Sequence, residues 1–296
     1  MSSADAAVKV FRQLQNGDLR VLQVIEAAMA TREFVPREQV AKYSKLDLKR
    51  DTDYRLRRLD KLGLIYSTQA GYTINYAGYD CLAINALMKA GIIEAFGKPL
   101  GVGKEADVYD ALNPRGDRVA VKFHRLGRIS FRQTMRKRGY AKQHTSWLFQ
   151  SRLAAEKEYK ALKLVFPHGV AVPEPICQNR HVVVMGMIDG VELAKCRQLD
   201  EPEKMLAEIL DNLRKTYLAA GIVHGDLSEY NIIAKPDNHI LIIDWPQYVP
   251  KTHPNATQLL TRDVQNVLRY FQRKHKLSWK LEESLEYVTG QDKSAA

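Results

Sequence analysis

The sequence predicts an α+β chain in two parts: a small helix-rich domain, then a larger domain that opens in strands and closes in helices. Three patterns carry this. Apolar residues recur at helical spacing up to residue 62 and then flank a glycine turn as a two-stranded ribbon. From 100 to 124 the apolar positions alternate around a Gly-x-Gly turn and a hairpin turn, and 182–185 is a continuous apolar run. From 202 onward long amphipathic patterns return, interrupted by short apolar runs on either side of Asn231 and Asp244.

The chain has 296 residues, enough for one large domain or two ordinary ones, and is 45% hydrophobic and 27% charged, the balance of a soluble globular protein. Its longest clearly apolar run, 182–188, is far too short to cross a bilayer, and no basic-then-apolar signal segment opens the sequence. Cys81, Cys177 and Cys196 are scattered without metal-ligand spacing and read as reduced thiols, so a cytoplasmic location is expected and no membrane partner. The formal charge of +11 is clustered, which favours a polyanionic partner such as nucleic acid, nucleotide or ribonucleoprotein.

In the first part, 8–14 and 19–30 have helical spacing, with Asn16, Gly17 and Asp18 as turn and cap. Pro36 starts a short helix at 35–41. A helix follows at 51–62. On it Tyr54, Leu56, Leu59 and Leu62 can share an apolar face, leaving Arg55, Arg57, Arg58 and Lys61 largely outside. Gly63 closes it, and 64–66 and 72–74 form the ribbon around Gly71. Helices followed by a ribbon are the order of a winged helix, whose last helix would meet nucleic acid and whose ribbon would be the wing. The alternative is a small helical domain whose basic side chains only cover its surface. A helix at 79–90, ended by Gly91, joins the two parts.

In the second part, Gly101, Val102, Gly103 and Lys104 lie between two strand patterns, where backbone N–H groups could approach phosphates. The turn at Asn113–Asp117 leads into a strand carrying Lys122, flanked by apolar residues and suited to grip phosphate. The segment 125–147 holds Arg125, Arg128, Arg132, Arg136, Lys137, Arg138 and Lys142 and no acidic residue. It reads as a solvated loop that contacts a polyanion or carries a self-phosphorylation site, with Ser130 the candidate. The next helix, 148–165, offers Glu158, preferred over Glu156, as the carboxylate that would hold Lys122. The strand ending at Met185 runs into a hinge-like stretch with Met187 and Ile188, placed to bind adenine, although core packing explains Met185 equally well.

After an amphipathic helix at 202–220 comes His224-Gly225-Asp226, then Asn231, then Asp244 at the end of a second apolar run. One carboxylate to position a hydroxyl, and an amide plus another carboxylate to hold a metal on nucleotide phosphates, is the set phosphoryl transfer needs. Asp226 is the candidate nucleophile-orienting residue; Asn231 and Asp244 are the candidate metal ligands. Helices at 255–275 and 279–288 complete the chain.

Gly101-Val102-Gly103-Lys104-Glu105, Lys122 followed by His124-Arg125-Leu126-Gly127-Arg128, His224-Gly225-Asp226, Ile243-Asp244 before Pro246-Gln247, and His253-Pro254-Asn255-Ala256 together resemble the Rio family of atypical serine protein kinases, in its Rio-two branch, as a compact archaeal-like member. The resemblance covers almost the whole chain. It implies a winged helix over 1–90, then a trimmed bilobal protein-kinase-like domain, with an N-lobe at 91–188 and a C-lobe at 189–296. It implies ATP with Mg²⁺ or Mn²⁺, serine autophosphorylation, and a role in maturing the small ribosomal subunit (the pre-40S or 30S-type particle) with its rRNA as partner. It further implies that Asp244 can itself take up phosphate, so that turnover resembles ATP hydrolysis. Ala106 stands where the family often has Ser. An rRNA-binding assembly factor switched by ATP, and a small-molecule phosphotransferase of the aminoglycoside type, are the alternatives.

Overall fold

The apolar stripe of each N-terminal helix decides how the first elements pack. In the computed structural model, which describes residues 3–46, 49–126 and 140–291, these are α1 (Ser3–Phe11), α2 (Asn16–Ala28), α3 (Arg37–Ser44) and α4 (Lys49–Lys61). They are followed by the antiparallel ribbon β1 (Ile65–Thr68) and β2 (Gly71–Ile74), then by α5 (Tyr76–Lys89). Leu22 and Ile25 of α2 and Leu56 and Leu59 of α4 are fully buried. Thr52, Leu56 and Leu59 form one stripe by steps of four and three. Tyr54, two residues from Leu56, therefore faces away and is half exposed rather than part of the apolar face. Gly71 is required at the ribbon turn: its φ is 131°, and a Cβ there would lie 2.4 Å from the Val35 carbonyl oxygen.

Two of the four basic side chains expected on the outside of α4 turn inward. Asp18 is fully buried; its carboxylate caps α2 by accepting from the Gln15 N–H at 2.9 Å and pairs with Arg55 at 3.1 Å and Arg58 at 3.3 Å. A buried carboxylate demands such partners, so Arg55 and Arg58 are structural, while Arg50, Arg57 and Lys61 stay exposed.

Met1–Ala155 with Gln178–Val183 forms one compact unit, and Glu156–Cys177 with Val184–Ala296 a second. The first continues into β3 (Ala95–Val102), β4 (Ala106–Leu112) and β5 (Arg118–His124), an antiparallel meander in register from Ala106↔His124 to Leu112↔Arg118. Asn113 closes the β4–β5 turn by accepting from the Arg115 and Asp117 N–H groups, each at 2.9 Å. With β6 (Pro175–Asn179) and β7 (Val182–Gly186) the strand order is β3-β4-β5-β7-β6. Polar clamps join the helical elements to these strands. Asp5 of α1 bonds Tyr109 of β4, and Glu26 of α2 makes a two-pronged pair with Arg180, both bonds at 2.6 Å. α5 is buried from Tyr76 to Asn85, on every face, and Asn75 caps it by accepting from the Gly78 N–H at 3.0 Å.

α6 (Tyr140–Val165) starts eight residues before the expected 148, because no proline or glycine interrupts the sequence from 140 to 165. The segment 125–147 is thus not one solvated loop. Arg125, counted there as an exposed cation, is 1% exposed and held by carboxylates; residues 140–147 are helical. Ser130 and the basic residues from Arg128 to Arg138 lie outside the described residues.

The second unit is built on α7 (Pro202–Leu218), α8 (Ala256–His275) and α9 (Leu281–Thr289). Leu206, Ile209, Leu210 and Leu213 of α7, Val264, Val267 and Phe271 of α8, and Val288 of α9 are buried. Short strands cross this unit: β8 (Val191–Glu192), β9 (Ile222–Val223), β10 (Ile232–Ala234), β11 (Ile240–Ile242) and β12 (Val249–Pro250), paired in the orders β11-β10-β8 and β12-β9. Among the described residues no helix is long and apolar enough to cross a membrane.

Candidate active site

The loop from His224 to Asn231 bridges β9 and β10, and α8 fixes its shape. Asp263, fully buried on α8, accepts from the Gly225 N–H at 2.7 Å and the Leu227 N–H at 2.9 Å. Arg262 donates to the Gly225 carbonyl, and Asn266 donates to the Leu227 carbonyl at 3.0 Å. Both main-chain neighbours of Asp226 are pinned, while the Asp226 side chain itself is exposed. Gly225 has φ 80°, and a Cβ there would stand 2.9 Å from the Gln247 carbonyl oxygen, so no larger residue fits unstrained. Burial pushes the Asp263 carboxyl up to about 6, against the pull of its two backbone N–H bonds.

His224 is a positioning group. Its ring is buried, with Nε2 3.1 Å from the Ile243 carbonyl oxygen and Nδ1 accepting from the Asp226 N–H at 3.3 Å. Donation from one nitrogen and acceptance at the other fit the neutral ring, and burial lowers its pKa, with the Ile243 bond opposing. Trp245 packs on it at a ring separation of 4.5 Å and donates from Nε1 to the Ile242 carbonyl at 3.1 Å.

Asn231 and Asp244 are tied together through the backbone. The Ile243 N–H donates to the Asn231 carbonyl at 2.9 Å, which sets Asp244 beside the loop. The Asn231 side-chain nitrogen donates to the Asp226 carbonyl at 2.9 Å, so its Oδ1 is the atom left to serve as a ligand. Asp244 has φ 69°, a left-handed conformation that few non-glycine residues adopt and that clusters at functional sites. Asp226, Asn231 and Asp244 thus belong to one hydrogen-bonded loop-and-strand assembly. Among the described residues no group of three His, Cys, Asp or Glu side chains could hold a metal alone. A Mg²⁺ ion completed by phosphate oxygens needs only one or two protein oxygens, which Asn231 and Asp244 would supply.

Glu158 is in the same unit, 2% exposed on α6, whereas Glu156 is partly exposed. Met185 lies in β7, one residue before its end, 3% exposed; Met187 and Ile188 follow in an irregular, half-buried stretch. The other candidates lie in the first unit. Lys122 is on β5, 9% exposed and opposite Val108 of β4. Gly101 and Val102 end β3, and Gly103 and Lys104 enter the β3–β4 turn, closed by the Gly103 N–H donating to the Ala106 carbonyl at 2.8 Å. At Gly101 an added Cβ would meet only open space, so protein packing gives no reason for glycine there. A close-approaching ligand would supply one.

Sequence reasoning missed Asp263, Arg262 and Asn266. Asp263 had a signal: a carboxylate on the apolar stripe of α8, between Leu260 and Val264, which are both buried. Arg262 and Asn266 left none, since both read as ordinary exposed-face residues.

The RIO domain family matches residues 107–284, and the Rio2 N-terminal family matches residues 11–90. The chain is 44% identical over 276 residues to the RIO-type serine/threonine-protein kinase Rio2 of Methanocaldococcus jannaschii, covering 88% of this chain and all of that one. It is 35% identical over 273 residues to the serine/threonine-protein kinase rio2 of Schizosaccharomyces pombe, covering 90% of this chain and 79% of that one. The crystal structure of the Rio2 kinase–ADP/Mg²⁺–phosphoaspartate complex from Chaetomium thermophilum superposes with a TM-score of 0.84 at 30% identity, over 95% of this chain and 89% of that one. The expected fold class, a winged helix followed by a protein-kinase-like domain, is the fold these matches share with the chain.

Proposed function

Because the chain belongs to the RIO family of serine/threonine-protein kinases, in its Rio2 branch, we propose that it binds ATP with Mg²⁺, or Mn²⁺, and transfers the γ-phosphoryl group during maturation of the small ribosomal subunit in the cytoplasm. The observation that carries this reading is the assembly of Asp226, Asn231 and Asp244 on one braced loop and strand. The solved relative with ADP, Mg²⁺ and a phosphoaspartate supports it.

Each side chain then has a task. The exposed Asp226 carboxylate orients the attacking hydroxyl and accepts its proton as the oxygen–phosphorus bond forms and the bond to the ADP oxygen breaks. Asn231 and Asp244 offer hard oxygen donors to the metal, which when bound neutralises phosphate charge. Lys122, set by Glu158, grips phosphate; Gly101, Val102, Gly103 and Lys104 cover it; Met185, Met187 and Ile188 border adenine. When Asp244 is the nucleophile, the carboxylate attacks phosphorus directly and water later releases phosphate, giving ATPase turnover in place of serine autophosphorylation. Arg50, Arg57 and Lys61 on the exposed face of α4 are among the winged-helix cations available to rRNA phosphates.

A single-turnover assay with γ-labelled ATP tests this. Label that hydroxylamine removes from the protein marks the acyl phosphate, stable label marks serine, and free label marks hydrolysis. Asp226→Asn should slow label transfer to serine by about 10²–10⁴-fold while leaving ATP binding in place. Transfer at the parent rate in that variant would overturn the assignment.

A further inference from the structure

A buried ion cluster outside the loop and strand described above joins the linking helix to the strand that carries Lys122. Arg125, the first residue after β5, is 1% exposed. Its guanidinium donates to Asp80 of α5 at 2.8 Å, lies 3.4 Å from Asp107 of β4, and is flanked by the Tyr76 and Phe123 rings at 5.1 and 5.2 Å. Its backbone N–H donates to the Glu105 carbonyl at 2.6 Å. The second oxygen of Asp80 is 2.7 Å from Nε2 of His181, whose ring stacks on Tyr79 at 4.5 Å. Asp80, Asp107 and His181 are all fully buried.

Glu105 and Asp107 lie on the return limb of the β3–β4 turn that follows Gly101 and Val102, and Lys122 is three residues before Arg125 on the strand paired with that limb. One guanidinium therefore adds a buried side-chain tie to the β4–β5 ladder between the glycine turn and the lysine strand. Of its two counter-charges, Asp80 comes from α5, within the N-terminal family match, and Asp107 from the RIO domain match. In a site closed to water neither bulk solvent nor a salt ion can substitute for a missing carboxylate, so the guanidinium would shift towards Asp107 and draw the limb with it.

We propose that Asp80 is a positioning residue for triphosphate binding, acting through Arg125 on the turn at Gly101–Lys104 and on Lys122. The winged-helix part of the chain is in this sense a piece of the nucleotide half-site. The proposal rests on the reading of that turn and Lys122 as the phosphate grip.

The test is a set of dissociation constants for the full-length chain with three probes: a non-hydrolysable ATP analogue with Mg²⁺, ADP with Mg²⁺, and adenosine. Asp80→Asn should weaken the ATP analogue by about tenfold and ADP by less, while adenosine, which has no phosphate, binds as before. Asp107→Asn, which removes the other carboxylate and leaves Asp80 in place, should give the same ranking and serves if Asp80→Asn does not fold. Equal weakening of all three probes, or no change in any, would overturn the proposal. If the parent protein fails to bind the ATP analogue, the nucleotide reading itself falls, a result separate from the ranking among variants.

Discussion

Two buried carboxylates, one in each unit, solve the same problem in different ways. Asp80 spends its oxygens on side chains, the Arg125 guanidinium and the His181 ring. Asp263 spends its oxygens on main-chain N–H groups, those of Gly225 and Leu227. The first joins elements far apart in sequence and is visible as a cluster of charged residues. The second shapes a loop without asking anything of the loop's side chains, which leaves Asp226 uncommitted and able to face solvent or substrate. Here the carboxylate that binds backbone positions the proposed catalytic residue, Asp226, and the one that binds side chains ties together elements of secondary structure.

The strongest way to break this contrast is to remove Asp263. Asp263→Ala leaves two buried N–H groups unpaired, at about 1–3 kcal/mol each, and frees the loop. Urea unfolding should show a loss of about 4 kcal/mol, and turnover should drop about 100-fold, since small misplacements of a catalytic group cost that much. A variant with full activity would mean that Arg262 and Asn266 hold the loop unaided. Asp80→Ala comes next. It strands a buried guanidinium beside its remaining partner, Asp107, and should cost about 3 kcal/mol, with the functional loss falling on nucleotide affinity more than on saturated turnover. Equal losses of kcat in the two variants would erase the distinction.

The smallest effect is in the pH dependence, where the two sites oppose each other. Burial lowers His181 to about 4, although its bond to Asp80 pulls the other way. Its unfolded form takes up a proton below about 6.5 and the folded form does not, so this contribution is complete above that pH and is lost as pH falls towards 4. Asp263 is raised to about 6. The folded state therefore binds the extra proton between about 6 and 3.8, and stability from this group rises as pH falls through that window. Each contribution is about 3 kcal/mol, so the parent protein should show a nearly flat profile from these two groups between pH 6 and 4. In Asp263→Asn the His181 contribution is unmasked, and urea midpoints should fall more steeply on acidification than in the parent; a parallel profile would show that the two do not offset.

Much of the fold was legible because apolar periodicity is a local signal. Most helices and strands lie near where the 3.6 and 2.0 spacings put them and the ribbon is where Gly71 puts it, but α1 covers Ser3–Phe11 rather than 8–14 and α6 begins at Tyr140 rather than 148. What escaped was pairing over distance. Arg55 and Arg58 read as surface cations because their partner, Asp18, is 37 and 40 residues away. Arg125 read as part of a basic run because its sequence neighbours are basic, while Asp80 is 45 residues away. The loop with Asp226, Asn231 and Asp244 could be read from residue types at close spacing. Asp263 could not be assigned a partner, because a backbone N–H has no sequence signature.

The left-handed conformation at Asp244 separates robustness from usefulness. Residues other than glycine held there lose of order 1 kcal/mol to backbone strain, and Asp244→Gly would return some of it while deleting the proposed metal ligand. A search for heat-tolerant variants scored on folding alone would therefore be drawn towards an inert chain at this position, and a screen of this protein must reward turnover to keep its aspartate.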